Sequence, residues 1–75
     1  MAIRFKFDVL EALKEKGFTT YKLRKDGLLS ESTIQKLRNG QMVAVVNIDT
    51  ICRLLCCQPG DILEYIPDEK ENLQL

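Results

Sequence analysis

Residues 20–40 read TYKLRKDGLLSESTIQKLRNG, and this stretch predicts two short helices joined by a tight turn. The residues predicted to face inward are Leu23, Leu28 in the turn, Ile34 and Leu37. Leu23 precedes Ile34 by eleven residues, and Leu37 follows Ile34 by one helical turn. Aliphatic side chains at these intervals can brace the second helix of the pair against the first. The stretch therefore predicts a helix-turn-helix.

Capping residues mark both ends of three predicted helices. They predict one further helix before the helix-turn-helix, closer to the N-terminus. Asp8 with Glu11 resembles a capping box for a first helix over about residues 9–16. Glycine tolerates the left-handed backbone in which helices commonly end. The predicted N-caps are Asp8, Thr19 or Thr20, and Ser30, and the predicted ends are Gly17, Asp26-Gly27 and Asn39-Gly40.

The C-terminal half predicts two more helices. Asn47 is the expected N-cap of the fourth, whose apolar stripe is Ile48, Ile51, Leu54 and Leu55. Pro59 suits the first position of a fifth helix, with Asp61 in its first turn, and Pro67 should end it. Five short helices with short loops make an all-α domain over residues 1–67, followed by an acidic flexible tail over residues 68–75.

Two five-residue segments have strand-like character. Residues 3–7 alternate apolar and basic side chains, and residues 42–46 are an uncharged, mostly β-branched run. Both are too short to be stable alone. They could pair with each other within one chain or across a dimer. Alternatively, the first extends a helix and the second is an apolar loop packed on the core.

Charge is unevenly distributed, although the net charge of the 75 residues is zero. Residues 1–40 contain nine Lys and Arg against five Asp and Glu, and residues 41–75 contain two against six. A chain polarised in this way can present a basic face to phosphates. The sequence contains no signal peptide and no apolar run long enough for a membrane span, so we expect a cytoplasmic protein.

The sequence predicts neither an enzyme nor a metal or cofactor site. Cys52 and Cys56 are four residues apart on a predicted helix, but zinc needs two more ligands and the chain has no histidine. We therefore expect Cys52, Cys56 and Cys57 to be small packing residues. A glycine-rich phosphate loop is absent, and no nucleophile has an evident base.

The outer face of the third helix carries side chains that can contact base edges. Gln bonds adenine in bidentate fashion, Lys donates to guanine, and Ser or Glu can reach other edges. The predicted base contacts are Glu31, Ser32, Thr33, Gln35 and Lys36. Side chains around the second helix and after the third should anchor phosphates. These predicted phosphate contacts are Thr20, Tyr21, Lys22, Lys25, Asn39 and Gln41.

Three segments resemble short stand-alone members of the Xre family of bacterial and phage regulators, whose domain is similar to that of lambda repressor and Cro. They are TTYKLRK at residues 19–25, STIQKLRNG at 32–40 and CQPGDILEY at 57–65, and the likeness covers roughly residues 3–66. It implies a five-helix fold, major-groove binding through the third helix and a homodimer on a palindromic operator. By position, it implies base contacts from Glu31, Ser32 and Lys36 and phosphate contacts from Thr20 and Asn39.

Two positions depart from this family pattern, and two questions stay open. Arg24 stands where the family has a small residue, and Leu28 stands at its turn glycine. The first question is whether the domain is instead a protein-interaction module, such as an antitoxin or antirepressor, on the same fold. The second is dimerisation, for which surplus apolar surface gives the candidates Ile3, Phe5, Val43 and Val45.

Overall fold

Five short helices and a two-stranded antiparallel sheet form residues 2–67, the part of the chain that the computed structural model describes. The predicted tail at residues 68–75 lies outside these residues. In chain order the elements are β1 (Ile3–Phe5), α1 (Val9–Glu15), α2 (Thr20–Lys25), α3 (Glu31–Arg38), α4 (Val45–Leu55), α5 (Pro59–Ile62) and β2 (Leu63–Tyr65).

The first three helices begin at the predicted capping residues. Each capping side chain accepts a hydrogen bond of 3.2 Å from the backbone N–H three residues later. Without the cap, this N–H group in the first turn of the helix would lack a partner within the helix. The caps are Asp8, Thr19 and Ser30, so Thr19 rather than Thr20 is the N-cap of α2. Gly27 follows α2 with a φ of +68°, and this backbone lets the chain turn sharply toward α3.

The core lies where α1, α3 and α4 meet the turn and α5. Leu23, Ile34 and Leu37 are buried, which confirms the three positions predicted on the helices. In the turn, Leu28 packs against the core as predicted but is only half-buried, and its neighbour Leu29 is the buried residue. The backbone N–H groups of both leucines point at the carbonyl of Leu23, and this tight return after Gly27 directs Leu29 into the core.

The sheet forms with a different partner strand from the one suggested by the sequence. β1 pairs antiparallel with β2, and Ile3 lies opposite Tyr65 and Phe5 opposite Leu63. The suggested pairing of residues 3–7 with residues 42–46 was therefore wrong. Fifty-seven residues separate Phe5 from Leu63, and short strands carry no local signal that specifies so distant a partner.

Residues 42–46 are a connection followed by the first turn of a helix. Val43 is buried in the core, Ala44 is the N-cap and Val45 begins α4. The predicted N-cap, Asn47, instead lies inside α4. The alternative given above, an apolar loop packed on the core, is confirmed at Val43, because burial outweighs the weak strand propensity of a β-branched run.

The fifth helix is shorter than predicted. It starts at Pro59 as expected but ends at Ile62 rather than continuing to Pro67, because the next three residues pair with β1. The Asp61 carboxylate accepts a 2.9 Å hydrogen bond from the backbone N–H of Gln58 at the N-cap. Ile62 is fully buried, so this single turn anchors the C-terminal segment to the core. Within residues 2–67, no helix combines the length and apolar character that a membrane span requires.

Candidate nucleic-acid interface

α3 has one buried face and one solvent-exposed face. Ile34 and Leu37 pack into the core, whereas Ser32, Gln35 and Lys36 are exposed on the other side. Glu31 at its first position is exposed too. The helix therefore presents a row of polar side chains over a rigid apolar base, which is the arrangement needed to offer hydrogen-bonding groups to a groove.

The N-terminus of α3 is held by a polar cluster of Ser30, Thr33 and Asn47. The Ser30 hydroxyl lies 3.0 Å from the Thr33 hydroxyl, and the Asn47 side-chain amide donates to Thr33 Oγ1 over 3.2 Å. Asn47 thus ties the first turn of α4 to α3. Because buried hydroxyls are costly without partners, these bonds make the placement of Thr33 favourable.

Thr33 consequently has a different position from the one the sequence predicted. Its side chain is only 6% exposed and serves the contact with Ser30 and Asn47. A helix position directly before Ile34 was expected to be at the edge of the exposed face. The Asn47 side chain reaches that edge from α4 and bonds the Thr33 hydroxyl, so Thr33 is not exposed for a base contact.

A second cluster, of Arg24, Glu31 and Gln35, links α2 to the exposed face of α3. The Arg24 guanidinium forms an ion pair of 2.6 Å with Glu31 Oε2, and the Gln35 amide donates to Glu31 Oε1 over 3.1 Å. The hydrogen bond from Gln35, followed by that from Arg24, lowers the pKa of the Glu31 carboxyl. Glu31 is therefore ionised at neutral pH, and both of its carboxylate oxygens have partners.

The ion pair explains the departure from the family pattern at Arg24. Arg24 is exposed and reaches across the turn to α3, so it does not lie at a close helix crossing. Sequence reasoning missed the roles of both Arg24 and Asn47. The role of Arg24 could have been predicted, since opposite charges at positions 24 and 31 flank the predicted turn. The role of Asn47 could not, because its residue type and position suggested a helix N-cap.

The predicted phosphate contacts are distributed around α2 and the end of α3. Tyr21, Lys22 and Lys25 are exposed, and Thr20 is half-buried. The Lys22 ammonium lies 5.4 Å from the centroid of the Phe18 ring, and the Lys25 ammonium lies 5.9 Å from that of Tyr21. These cation–π contacts restrain two otherwise flexible cations along α2. Asn39 and Gln41 are exposed after α3.

The dimer candidates differ greatly in exposure. Val45 is 82% exposed and its neighbour Val46 is 69% exposed, so together they form an apolar patch at the start of α4, which we call the valine patch. Ile3 is also exposed on β1. Phe5 is half-buried against the core. Val43 is 8% exposed and belongs to the core, so its predicted place on a dimer surface was wrong.

A capped helix with a polar outer face, preceded by a shorter helix and a glycine turn, defines the helix-turn-helix class of DNA-binding domains. The chain belongs to the family of Cro/C1-type HTH DNA-binding domains, whose model matches residues 8–68. This family of transcriptional regulators acts on DNA, and the match confirms the resemblance to Xre-type regulators.

Two individual proteins support the assignment. The chain is 35% identical to the uncharacterized HTH-type transcriptional regulator YozG of Bacillus subtilis (strain 168), over 92% of this chain and 82% of that protein. The crystal structure of the transcriptional regulator VanUg, form II, is similar with a TM-score of 0.63 and 29% sequence identity. That alignment covers 91% of this chain and 92% of the VanUg chain.

Proposed function

We propose that this protein is a transcriptional regulator that recognises a specific DNA sequence by placing α3 in the major groove. The observation that carries the proposal is the division of α3 into a buried face at Ile34 and Leu37 and an exposed polar face. Base-contacting side chains on such a helix can discriminate among all four base pairs. The proposed base contacts are Glu31, Ser32, Gln35 and Lys36.

Contacts to the phosphate backbone position the domain without reading sequence. Lys22 and Lys25 on α2 supply positive charge. Hydrogen bonds with phosphate oxygens suit the polar groups of the exposed Tyr21, Asn39 and Gln41 and of the half-buried Thr20. Because the chain has no net charge, non-specific attraction to DNA should be weak. Specific contacts then contribute a larger share of the affinity.

Selection of bound duplexes from a random DNA pool tests this proposal directly. We expect a defined motif to be enriched, and we expect the affinity for that motif to fall steeply with salt because phosphate-bound counterions are released. Lys22→Met should reduce the slope of log affinity against log salt by about one unit. Arg53→Met is the matched control, since it removes one charge from α4, and it should leave the slope unchanged. Failure to enrich any motif contradicts the proposal.

We further propose that the protein acts as a homodimer on a palindromic operator. The valine patch carries this proposal, because two adjacent and highly exposed aliphatic side chains are unfavourable in water. Two-fold pairing of this patch would present two copies of α3 to two half-sites. The motif selected from random DNA should then be an inverted repeat.

A carboxylate in the valine patch should separate the two copies. Sedimentation equilibrium is expected to show a dimer for the wild type and a monomer for Val45→Glu, since association would bury the new charge. Lys16→Glu, an exposed substitution at the end of α1, is the control and should remain dimeric. A wild type that stays monomeric at the highest accessible concentration, and on its selected DNA, excludes the dimer.

A protein-interaction module is the second candidate function. The zero net charge and the acidic excess of residues 41–75 favour it, because they reduce attraction to DNA. In that case the valine patch would bind another protein. The random-pool experiment distinguishes the two functions, since an interaction module enriches no DNA motif.

A further inference from the structure

All three cysteines lie where α4 ends and α5 begins. α4 ends at Leu55, and Cys56 follows with a φ of +56° and a ψ of +51°. This left-handed backbone normally carries glycine or asparagine at the end of a helix, because a β-carbon is unfavourable there. The chain thus has a cysteine at a position where the backbone favours glycine or asparagine.

The backbone brings Cys52 and Cys57 together. The N–H groups of Cys56 and Cys57 both donate to the carbonyl of Cys52, the second over 3.0 Å. A bond from residue 57 back to residue 52 closes a Schellman-type turn, a motif in which the side chains of these two positions frequently lie side by side. Burial, and after it the nearby Cys57 thiol, raise the pKa of the Cys52 thiol.

Cys56 also lines the cavity beside this pair, but its thiol has a different hydrogen-bond partner. Its thiol donates to the carbonyl of Arg53 over 3.8 Å, and its side chain is exposed. Within residues 2–67, no three Cys, Asp or Glu side chains converge in a way that could hold a metal ion. The geometry therefore favours chemistry between two thiols rather than a three-thiolate metal centre.

Small reagents can reach the pair. Cys52 and Cys57 are both half-buried and line an open cavity of about 690 Å³ between α4 and α5. Val45, Asp49, Arg53 and Asp61 are among the other lining residues. A fully buried pair would be inert, whereas this pair is accessible to a molecule the size of hydrogen peroxide.

We propose that Cys52 and Cys57 form a reversible oxidation site that closes to an intramolecular disulfide when it reacts with hydrogen peroxide. The Cys57 thiolate attacks one peroxide oxygen, the O–O bond breaks, and after uptake of a proton Cys57 is a sulfenic acid and one water has left. The Cys52 sulfur then attacks Cys57 Sγ, the S–O bond breaks, and a second water carries away the Cys52 proton. The two sulfurs lose two electrons, and the peroxide gains them.

The order of the two cysteines follows from their environments. Cys52 is held as a thiol by its raised pKa, so it is the poorer first nucleophile. The backbone hydrogen bond between Cys57 and Cys52 keeps the two residues close together, so Cys52 can resolve the sulfenic acid without a large movement of the chain. The resulting loop contains residues 52–57 and connects the end of α4 to the residue before the N-cap of α5.

Mass spectrometry of the full-length protein tests the site independently of DNA binding. After mild peroxide treatment, the folded monomer should be lighter by about 2 Da, the mass of two hydrogens, and one thiol should remain for alkylation. The position of Arg53 makes the disulfide easy to assign, because trypsin cuts after Arg53 and so separates Cys52 from the other two cysteines. A disulfide then joins the peptides of residues 39–53 and 54–70, and fragmentation of the linked pair identifies its second cysteine.

We expect the link to join Cys52 to Cys57, to be removed by dithiothreitol, and to form equally in Cys56→Ser. Peroxide-treated Cys57→Ser should contain no Cys52–Cys57 link. The proposal is overturned if Cys52 is alkylated as a free thiol after treatment, if the link joins Cys52 to Cys56, or if Cys57 becomes sulfinic acid without linkage. Wild-type protein alone decides among these outcomes, so the test does not depend on the folding of a variant.

Discussion

Replacing Ile34 with alanine is expected to remove a large part of the free energy of unfolding. Ile34 is completely buried beneath α3 and belongs to the central core cluster. Truncating such a residue costs about 2–5 kcal/mol through lost burial and the cavity that remains. A domain of this size has a total stability of roughly 4–11 kcal/mol. The variant should therefore be marginally folded at best, and DNA binding should be lost with the fold.

Urea denaturation followed by circular dichroism measures this loss. Glu15→Ala is the control, because it also shortens a side chain to its β-carbon, but at an exposed position of α1 outside the valine patch. Its effect should be about 0.5 kcal/mol or less, as for most surface substitutions. A loss below about 1 kcal/mol for Ile34→Ala would show that this side chain does not support α3. That result would contradict the proposal that a buried face of α3 holds its polar face toward DNA.

Local signals in the sequence predicted most of the helix-turn-helix. The caps at Asp8 and Ser30 and the buried positions Leu23, Ile34 and Leu37 were all identified from spacing and residue type. These predictions succeed because a cap acts over three residues and a helical face repeats every three to four. The family resemblance independently indicated the same architecture.

The errors in the fold arose where distant residues determine the local structure. Residues 42–46 have strand-like composition, yet the burial of Val43 and the start of α4 at Val45 make them a connection and a helix. Residues 63–65 continue an apolar helical pattern, yet they pair with β1 at the other end of the chain. Strand partners over such distances depend on tertiary packing, which the local sequence does not encode.

The candidate site was predicted in outline but not in its internal contacts. Exposure of Ser32, Gln35 and Lys36 followed from the helical wheel, whereas burial of Thr33 depends on Asn47, fourteen residues away. The ion pair between Arg24 and Glu31 depends on the angle between α2 and α3. Glu31 and Gln35 therefore have fixed partners before DNA arrives, and Lys36 becomes the most informative position at which to test recognition.

Lys36→Met is expected to weaken binding to the selected DNA motif by about 10- to 100-fold. Lysine can donate to guanine in the major groove, and a good contact of this kind contributes roughly 1–3 kcal/mol of discrimination. Methionine keeps the length of the side chain and a good helix propensity, so α3 should remain intact. Binding to random duplex should decrease only a few fold, since it lacks the base contact.

Lys25→Met provides the comparison that separates sequence recognition from charge. Lys25 lies on α2 over the Tyr21 ring and is proposed to contact phosphate, so its loss should weaken binding to the motif and to random duplex by the same factor. The ratio of the two affinities, measured by fluorescence anisotropy at one salt concentration, should therefore fall for Lys36→Met and stay constant for Lys25→Met. If both variants leave this ratio unchanged, Lys36 does not contact bases. If Lys25→Met lowers it instead, the roles proposed for α2 and α3 are reversed.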